Sequence, residues 1–294
     1  MVPCGVPAPS RRAAEVRLPI IPQVADWIRT HPGTLSLGQG VAGYAPPAEA
    51  WAEVDRLHRE PSLHRYQAVD GLPALCDALA ESLHRRHGLR IDGSRGLMVT
   101  AGANAGFLQV VLALCDPGDE VILPLPFYFN QEMALTLASV RPVPVPCDAR
   151  HHPDVEAIAR ARTPRTRAIV TVSPNNPTGA VYPEATLRAI NDLCAREGLV
   201  HISDETYAPF VYGDARHVSP GAFPGAGDHT VSLFSFSKTY GFASWRVGCV
   251  VFPRSLLESL RKIQDTNLIC PPVVSQLAAL GCLRAGDAWV AARV

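Results

Sequence analysis

Lysine is nearly absent from this chain: of its 27 basic side chains, Lys238 and Lys262 are the only lysines and 25 are arginines. A position that needs only fixed positive charge is served by arginine, so a retained lysine hints at a use for an amine that can lose its proton. Net charge is absent as well, because 27 acidic residues balance the 27 basic ones. With no field of one sign and no dense basic block, nothing here gathers nucleic acid or an anionic membrane surface. No apolar run approaches the ~20 residues that span a bilayer, and the N-terminus has Arg11 and Arg12 but no uninterrupted apolar stretch of an export signal. None of the eight cysteines forms a C-x-x-C pair, so buried free thiols in a reducing cytoplasm are expected. Internal repeats are lacking too.

What is present is alternation. Apolar residues at helical spacing from Gly71 to Arg86, then the strand Leu97 to Thr100 and the helix Phe107 to Cys115, begin a series. It continues with strands at Glu120 to Leu123, Val143 to Pro146, Arg167 to Val172, Leu199 to Ser203, Thr230 to Phe234 and Val247 to Phe252. The expected helices are Gln131 to Ser139, Pro183 to Arg196, Arg254 to Gln264 and Pro272 to Leu283. Such alternation predicts an α/β domain around a largely parallel sheet, with ligands bound beyond the carboxyl ends of the strands. Residues 1 to 17, rich in Pro, Ala and Arg without period, are expected to form a mobile arm.

The polar residues that follow these strands suggest one chemistry. Ser235-Phe236-Ser237-Lys238, with Arg246 eight residues on, sets an amine among hydroxyls with a fixed cation behind it. An amine partly removed from water can deprotonate and attack an aldehyde to form a Schiff base, which is how a pyridoxal phosphate cofactor is anchored. Asp204 suits the partner of a pyridinium nitrogen, and Asn176 and Tyr207 suit its phenolic oxygen. Gly102, Ala103 and Asn104 lie between a strand and a helix, where free backbone amides and the helix dipole favour an anion, and Ser235 and Arg246 would add to that phosphate cradle. Tyr128, after another strand, offers a face for a flat ring. Taken singly, each residue also fits a structural role: an N-cap Asp, a turn Asn, a salt-bridged Arg. Their joint occurrence in a consistent order favours the cofactor.

Two motif matches mislead. Gly38, Gly40 and Gly43 satisfy G-x-G-x-x-G, yet Pro46 and Pro47 follow at once and would obstruct the helix that a dinucleotide fingerprint opens. Ser235 and Lys238 satisfy S-x-x-K, the nucleophile motif of penicillin-recognising enzymes, but no S-D-N occurs and Lys238-Thr239 leads to Tyr240 rather than glycine.

The ordered set T-A-G-A-N, P-F-Y-F-N, S-P-N-N-P-T-G, S-D-E-T-Y, S-F-S-K and W-R-V-G resembles the fold-type I pyridoxal-phosphate enzymes of the class I/II aminotransferase group, from about Leu35 to the C-terminus. The resemblance implies a three-layer αβα large domain over residues 46–284, preceded by an arm and loop over 1–45. It implies that Lys238 is the Schiff-base lysine and proton shuttle, that Asp204 pairs with the ring nitrogen, and that Asn176 and Tyr207 meet the phenolic oxygen. Tyr128 would stack on the ring, and Ala103, Asn104, Ser235 and Arg246 would take the phosphate. It further implies that Tyr66 reaches the phosphate of a neighbouring subunit in a homodimer, and that Gly40 lines the substrate carboxylate pocket. Ser244 stands where the group usually has glycine. The group's C-terminal small domain, with the arginine that clamps the substrate carboxylate, is expected to be missing, residues 285–294 being the start of the connection to it. The activity so implied is amino-group exchange between an amino acid and a 2-oxo acid. Other chemistries on the same cofactor residues remain alternatives (C–S lyase, cyclopropane-carboxylate synthesis, decarboxylation), as does a truncated, non-catalytic binding or dimerisation module.

Overall fold

The computed structural model describes residues 8–294 apart from Gln39. Eleven helices are assigned: α1 Arg11–Glu15, α2 Ile21–Thr30, α3 Ala48–Val54, α4 Pro73–His87, α5 Ala103–Leu114, α6 Phe129–Leu137, α7 Val155–Ala161, α8 Glu184–Glu197, α9 Phe236–Thr239, α10 Leu257–Asn267 and α11 Val273–Ala291. The strands are β1 Arg95–Thr100, β2 Glu120–Leu125, β3 Arg141–Pro146, β4 Thr166–Val172, β5 Val200–Asp204, β6 Thr230–Ser235 and β7 Gly248–Pro253. They form one sheet in the order β1-β7-β6-β5-β4-β2-β3. β7 pairs antiparallel with both β1 and β6, while every other pair is parallel. Six strands therefore run the same way. The carboxyl ends of β1, β2, β4, β5 and β6 share one edge with the start of β7.

Strand alternation decides which face each side chain joins. Val99, Phe234, Cys249 and Val251 point into a cluster with Leu75, Leu79 and Leu277 of α4 and α11. Their neighbours Met98, Leu233, Val250 and Phe252 point the other way, to Phe107 and Val111 of α5, Leu135 of α6 and Leu260 of α10. Farther along the sheet, Ile122 and Ile169 meet Ile158 of α7 and Ile190 of α8. Helices thus cover both faces, giving the three layers expected. Each fully buried Leu, Val or Phe in these layers contributes about 1.5–3 kcal/mol, so the sheet is the rigid frame. At one crossing the chain has no room for a side chain: a Cβ on Gly281 of α11 would stand 2.2 Å from the carbonyl oxygen of Glu49 in α3.

Several expectations change. α5 starts at Ala103 rather than Phe107, and α6 at Phe129 rather than Gln131, so the residues expected in loops are first-turn residues whose amides have no helical partner. α11 runs on to Ala291 through a break at Gly286 (φ 81°, ψ 179°). Within the expected arm, α1 forms, while residues 1–7 lie outside the described residues. Gly38, Gly40 and Gly43 follow no strand and open no helix, α3 beginning only at Ala48, so the dinucleotide match is spurious. The seven cysteines among the described residues are free thiols; three of them, Cys194, Cys249 and Cys282, are buried and the others half-buried. No helix of the described residues is long and apolar enough to cross a membrane.

Candidate active site

A cleft of about 680 Å³ opens at the carboxyl edge of the sheet. Its wall includes Gly40, Ala103, Asn104, Tyr128 and Asn176, and its floor Asp204, Tyr207, Ser235, Lys238 and Arg246. Most of them lie just beyond the carboxyl ends of β1, β2, β4, β5 and β6, which share one edge because those strands run the same way, while Arg246 leads into β7 and Gly40 comes from the segment before α3. Gly102 stands directly behind this wall. Tyr66 does not reach the cleft; its side chain is 82% exposed.

Gly102 has φ 83° and ψ 167°, a region open in practice only to glycine, and a Cβ there would lie 2.4 Å from Nη2 of Arg246. The turn is shaped to let the guanidinium lie against the start of α5. Arg246 is itself held at φ 53°, unusual for a residue with a side chain. Its Nη1 donates to the Ala243 carbonyl at 2.8 Å and to Ser237 Oγ at 3.4 Å. Ser235 caps the single-turn helix α9, its Oγ accepting from the Ser237 amide at 3.1 Å. The free amides of α5, the hydroxyls of Ser235 and Ser237 and the guanidinium make this end of the cleft a cradle for a dianion.

Lys238 sits on α9, one turn after Ser235, so the S-x-x-K spacing falls on a helix. Its amine, however, donates to the Gly40 carbonyl and lies 5.9 Å from the Tyr207 ring centre. Burial, helped by the Arg246 charge, pulls the Lys238 pKa below the usual lysine value. Asp204, the one carboxylate among the cleft's described lining residues, is buried at the end of β5. Its Oδ1 accepts from the Thr206 amide at 3.1 Å and its Oδ2 from Gln131 Nε2 at 3.3 Å. Burial outweighs these bonds and raises its pKa. A buried carboxylate without a cationic partner fits a ligand that brings the positive charge with it. Asn176 Nδ2 donates to the Tyr207 hydroxyl at 3.3 Å, and burial, reinforced by Tyr128 and Asp204, pushes that phenol up to about 12.

Several residues at the site stand outside the candidates named from the sequence. Gln131, on the first turn of α6, bonds Asp204 and leaves its own buried Oε1 without a partner. Tyr44 donates its hydroxyl to the Lys238 carbonyl at 2.9 Å. Asn175 organises the 173–179 loop through Tyr182 at 2.9 Å and the Thr178 hydroxyl at 2.8 Å. Phe129 lines the cleft beside Tyr128, whereas Phe127 packs against the core.

A cleft with an anion cradle at one end, a half-buried amine and a buried acid defines a class of cofactor enzyme, and comparison with known proteins agrees. The family described as aminotransferase class I and II matches residues 32–293, and the chain belongs to it. The chain is 35% identical to the aromatic aminotransferase ISS1 of Arabidopsis thaliana, over 97% of this chain and 72% of that one. It is 40% identical to the arginine–pyruvate transaminase AruH of Pseudomonas aeruginosa, over 75% of this chain and 56% of the relative. Among solved structures, the aspartate aminotransferase of Thermus thermophilus with maleate superposes with a TM-score of 0.91 at 28% identity, covering 98% of this chain and 76% of that one. The chain thus spans roughly half to three quarters of the length of these proteins. Enzymes of this family and fold use pyridoxal 5'-phosphate. The residues here fit it: the space a Cβ at Gly102 would fill belongs to Arg246, and among the described residues no cation pairs with the buried Asp204.

Proposed function

We propose that this chain is an amino-acid aminotransferase, moving an amino group between an amino acid and a 2-oxo acid, with Lys238 as the attachment and proton-transfer residue. The observation that carries the reading is the company of Lys238: one of only two lysines, half-buried, its charge disfavoured, beside a buried carboxylate and a phosphate cradle. Pyridoxal phosphate, when bound, supplies the aldehyde that receives the amino group and a ring that withdraws electrons from the carbon beside it. The amides of Ala103 and Asn104, Ser235 and Arg246 bind the phosphate. Asp204 would hold a protonated ring nitrogen, the Asn176 amide and Tyr207 hydroxyl would meet the ring's phenolic oxygen, and Tyr128 would offer its face to the ring. Lys238 Nζ, neutral at a lower pH than a free lysine, would take the proton from the substrate α-carbon and hand it to the cofactor carbon that receives the amino group. Gly40, whose carbonyl accepts from that amine, would line the substrate side. We read the protein as a cytoplasmic homodimer in which Tyr66, exposed here, serves the partner's site, and residues 46–284 as the cofactor-binding unit.

The test is a half-reaction. The chain loaded with cofactor is mixed with a panel of amino acids, and loss of the aldehyde-form absorbance is followed with appearance of the matching 2-oxo acid. Conversion by at least one amino acid supports transamination. A lysine-dependent cofactor band that no amino acid discharges would favour a binding module instead.

A further inference from the structure

A second cluster of chemistry-bearing side chains lies next to the cleft but outside it. Glu205 follows Asp204 and turns away from the cofactor side, into a small cavity of about 60 Å³ shared with His87, Phe234 and Ser235. Its side chain is fully buried. Oε1 accepts from Ser219 Oγ at 2.9 Å and Oε2 meets His217 Nε2 at 2.9 Å. His87, the last residue of α4, completes the group. It is placed by ring contacts, 5.2 Å to Phe234 and 5.5 Å to His217 between ring centres. One donor atom from each of His87, Glu205 and His217 lies within 4.8 Å of the other two.

The charge accounting is unusual. The other fully buried glutamate, Glu120, is met by the guanidinium groups of Arg141 and Arg165. Among the described residues no arginine or lysine pairs with Glu205, only a histidine. Nearby cations are engaged elsewhere or face outward: Arg85 and Arg86 both pair with Asp287, and Arg216 lines the outer groove. A buried carboxylate flanked by two imidazoles, with no guanidinium or ammonium beside it among the described residues, leaves a place for a metal cation as its positive centre.

We propose that His87, Glu205 and His217 bind one divalent cation of the zinc class. Two imidazoles and one carboxylate suit zinc, nickel or cobalt, whereas calcium and magnesium favour all-oxygen sets. Around a tetrahedral ion with bonds of about 2.0 Å the donors stand about 3.3 Å apart. The Glu205–His217 pair is already that close, and a His87 donor stands within 4.8 Å of both. The outer groove, which His87 and His217 both line, gives a route from solvent. Because Glu205 adjoins Asp204, the ion would brace the end of β5 beneath the cofactor.

The full chain, dialysed free of chelator and loose cofactor, is titrated with zinc by calorimetry and with cobalt by visible spectroscopy, as wild type and as His87→Leu and His217→Gln. The account expects one ion per chain, cobalt bands of a tetrahedral nitrogen and oxygen site without thiolate charge transfer, and affinity at least about 100-fold weaker in either variant. No binding to the wild type would overturn it, as would binding unchanged in both variants, or a thiolate band assigning the ion to cysteines. Circular dichroism checks the variants' fold. Should His217→Gln fail to fold, His87→Leu and the wild-type cobalt spectrum decide alone.

Discussion

Asp204 on the floor of the cleft exposes 7% of its surface, whereas Leu37, on the segment leading to Gly40 at the rim, exposes 98%. The floor is made of strand ends and helix starts whose positions are set by core packing on both faces of the sheet. The rim, from Leu18 to Val41, carries Leu18, Leu35, Leu37 and Val41 largely uncovered. Floor residues are therefore held to a fixed geometry by this chain's own core, and rim residues are not. On the proposed reading the floor is where cofactor chemistry is fixed, and the rim is where substrate and partner subunit meet the chain. Substitutions on the two should behave differently.

The largest effect is expected at the floor's acid. Asp204→Asn should lower kcat by about 10³-fold or more, because an amide cannot hold a protonated ring nitrogen by charge. Without cofactor the same change should raise the melting temperature at pH 7. Burial raises the Asp204 pKa in the folded chain, so its favourable contribution is complete only below the unfolded value and is lost as pH rises through the folded one. The advantage of the variant in thermal melts should accordingly shrink toward pH 3. A melting temperature lower than wild type at pH 7 would break the argument. Gly102→Ala comes next. It adds about 1–3 kcal/mol of backbone strain and drives a methyl group into Arg246, so cofactor affinity, read by fluorescence titration, should weaken about 10- to 100-fold. Tyr207→Phe removes one hydrogen bond of about 0.5–1.5 kcal/mol, and steady-state kinetics should show a loss of about tenfold or less. At the rim, Leu37→Ser should change the stability of the isolated chain by less than about 0.5 kcal/mol, while sedimentation shows weaker self-association. A stability loss of several kcal/mol there would contradict the contrast between rim and floor.

The floor was legible in the sequence because its residues follow strands, and parallel strands bring their carboxyl ends to one edge whatever their order. Asn176, Asp204 and Lys238 could be placed without knowing which strand neighbours which. The order itself was not legible: β7 inserts antiparallel between β1 and β6, a pairing of residues such as Val99 and Cys249 that no local pattern reports. For the same reason Gln131 was missed, since it reads as an ordinary polar residue of a helix and gains meaning only from Asp204, far along the chain. Tyr44 and the His87, Glu205 and His217 group are likewise products of tertiary packing. The apolar periodicity of α5 and α6 begins after their first residues, because Ala103, Asn104 and Phe129 line the cleft.

The central claim is that Lys238, not the cleft alone, holds the cofactor, and absorption spectroscopy of wild type, Lys238→Ala and Lys238→Arg with added pyridoxal phosphate tests it most directly. The account predicts a protein-bound visible band in the wild type that borohydride fixes covalently. In both variants that band and its fixation should be lost, since arginine preserves the charge but not the amine. A band that persists and is still fixed by borohydride in Lys238→Ala would contradict it.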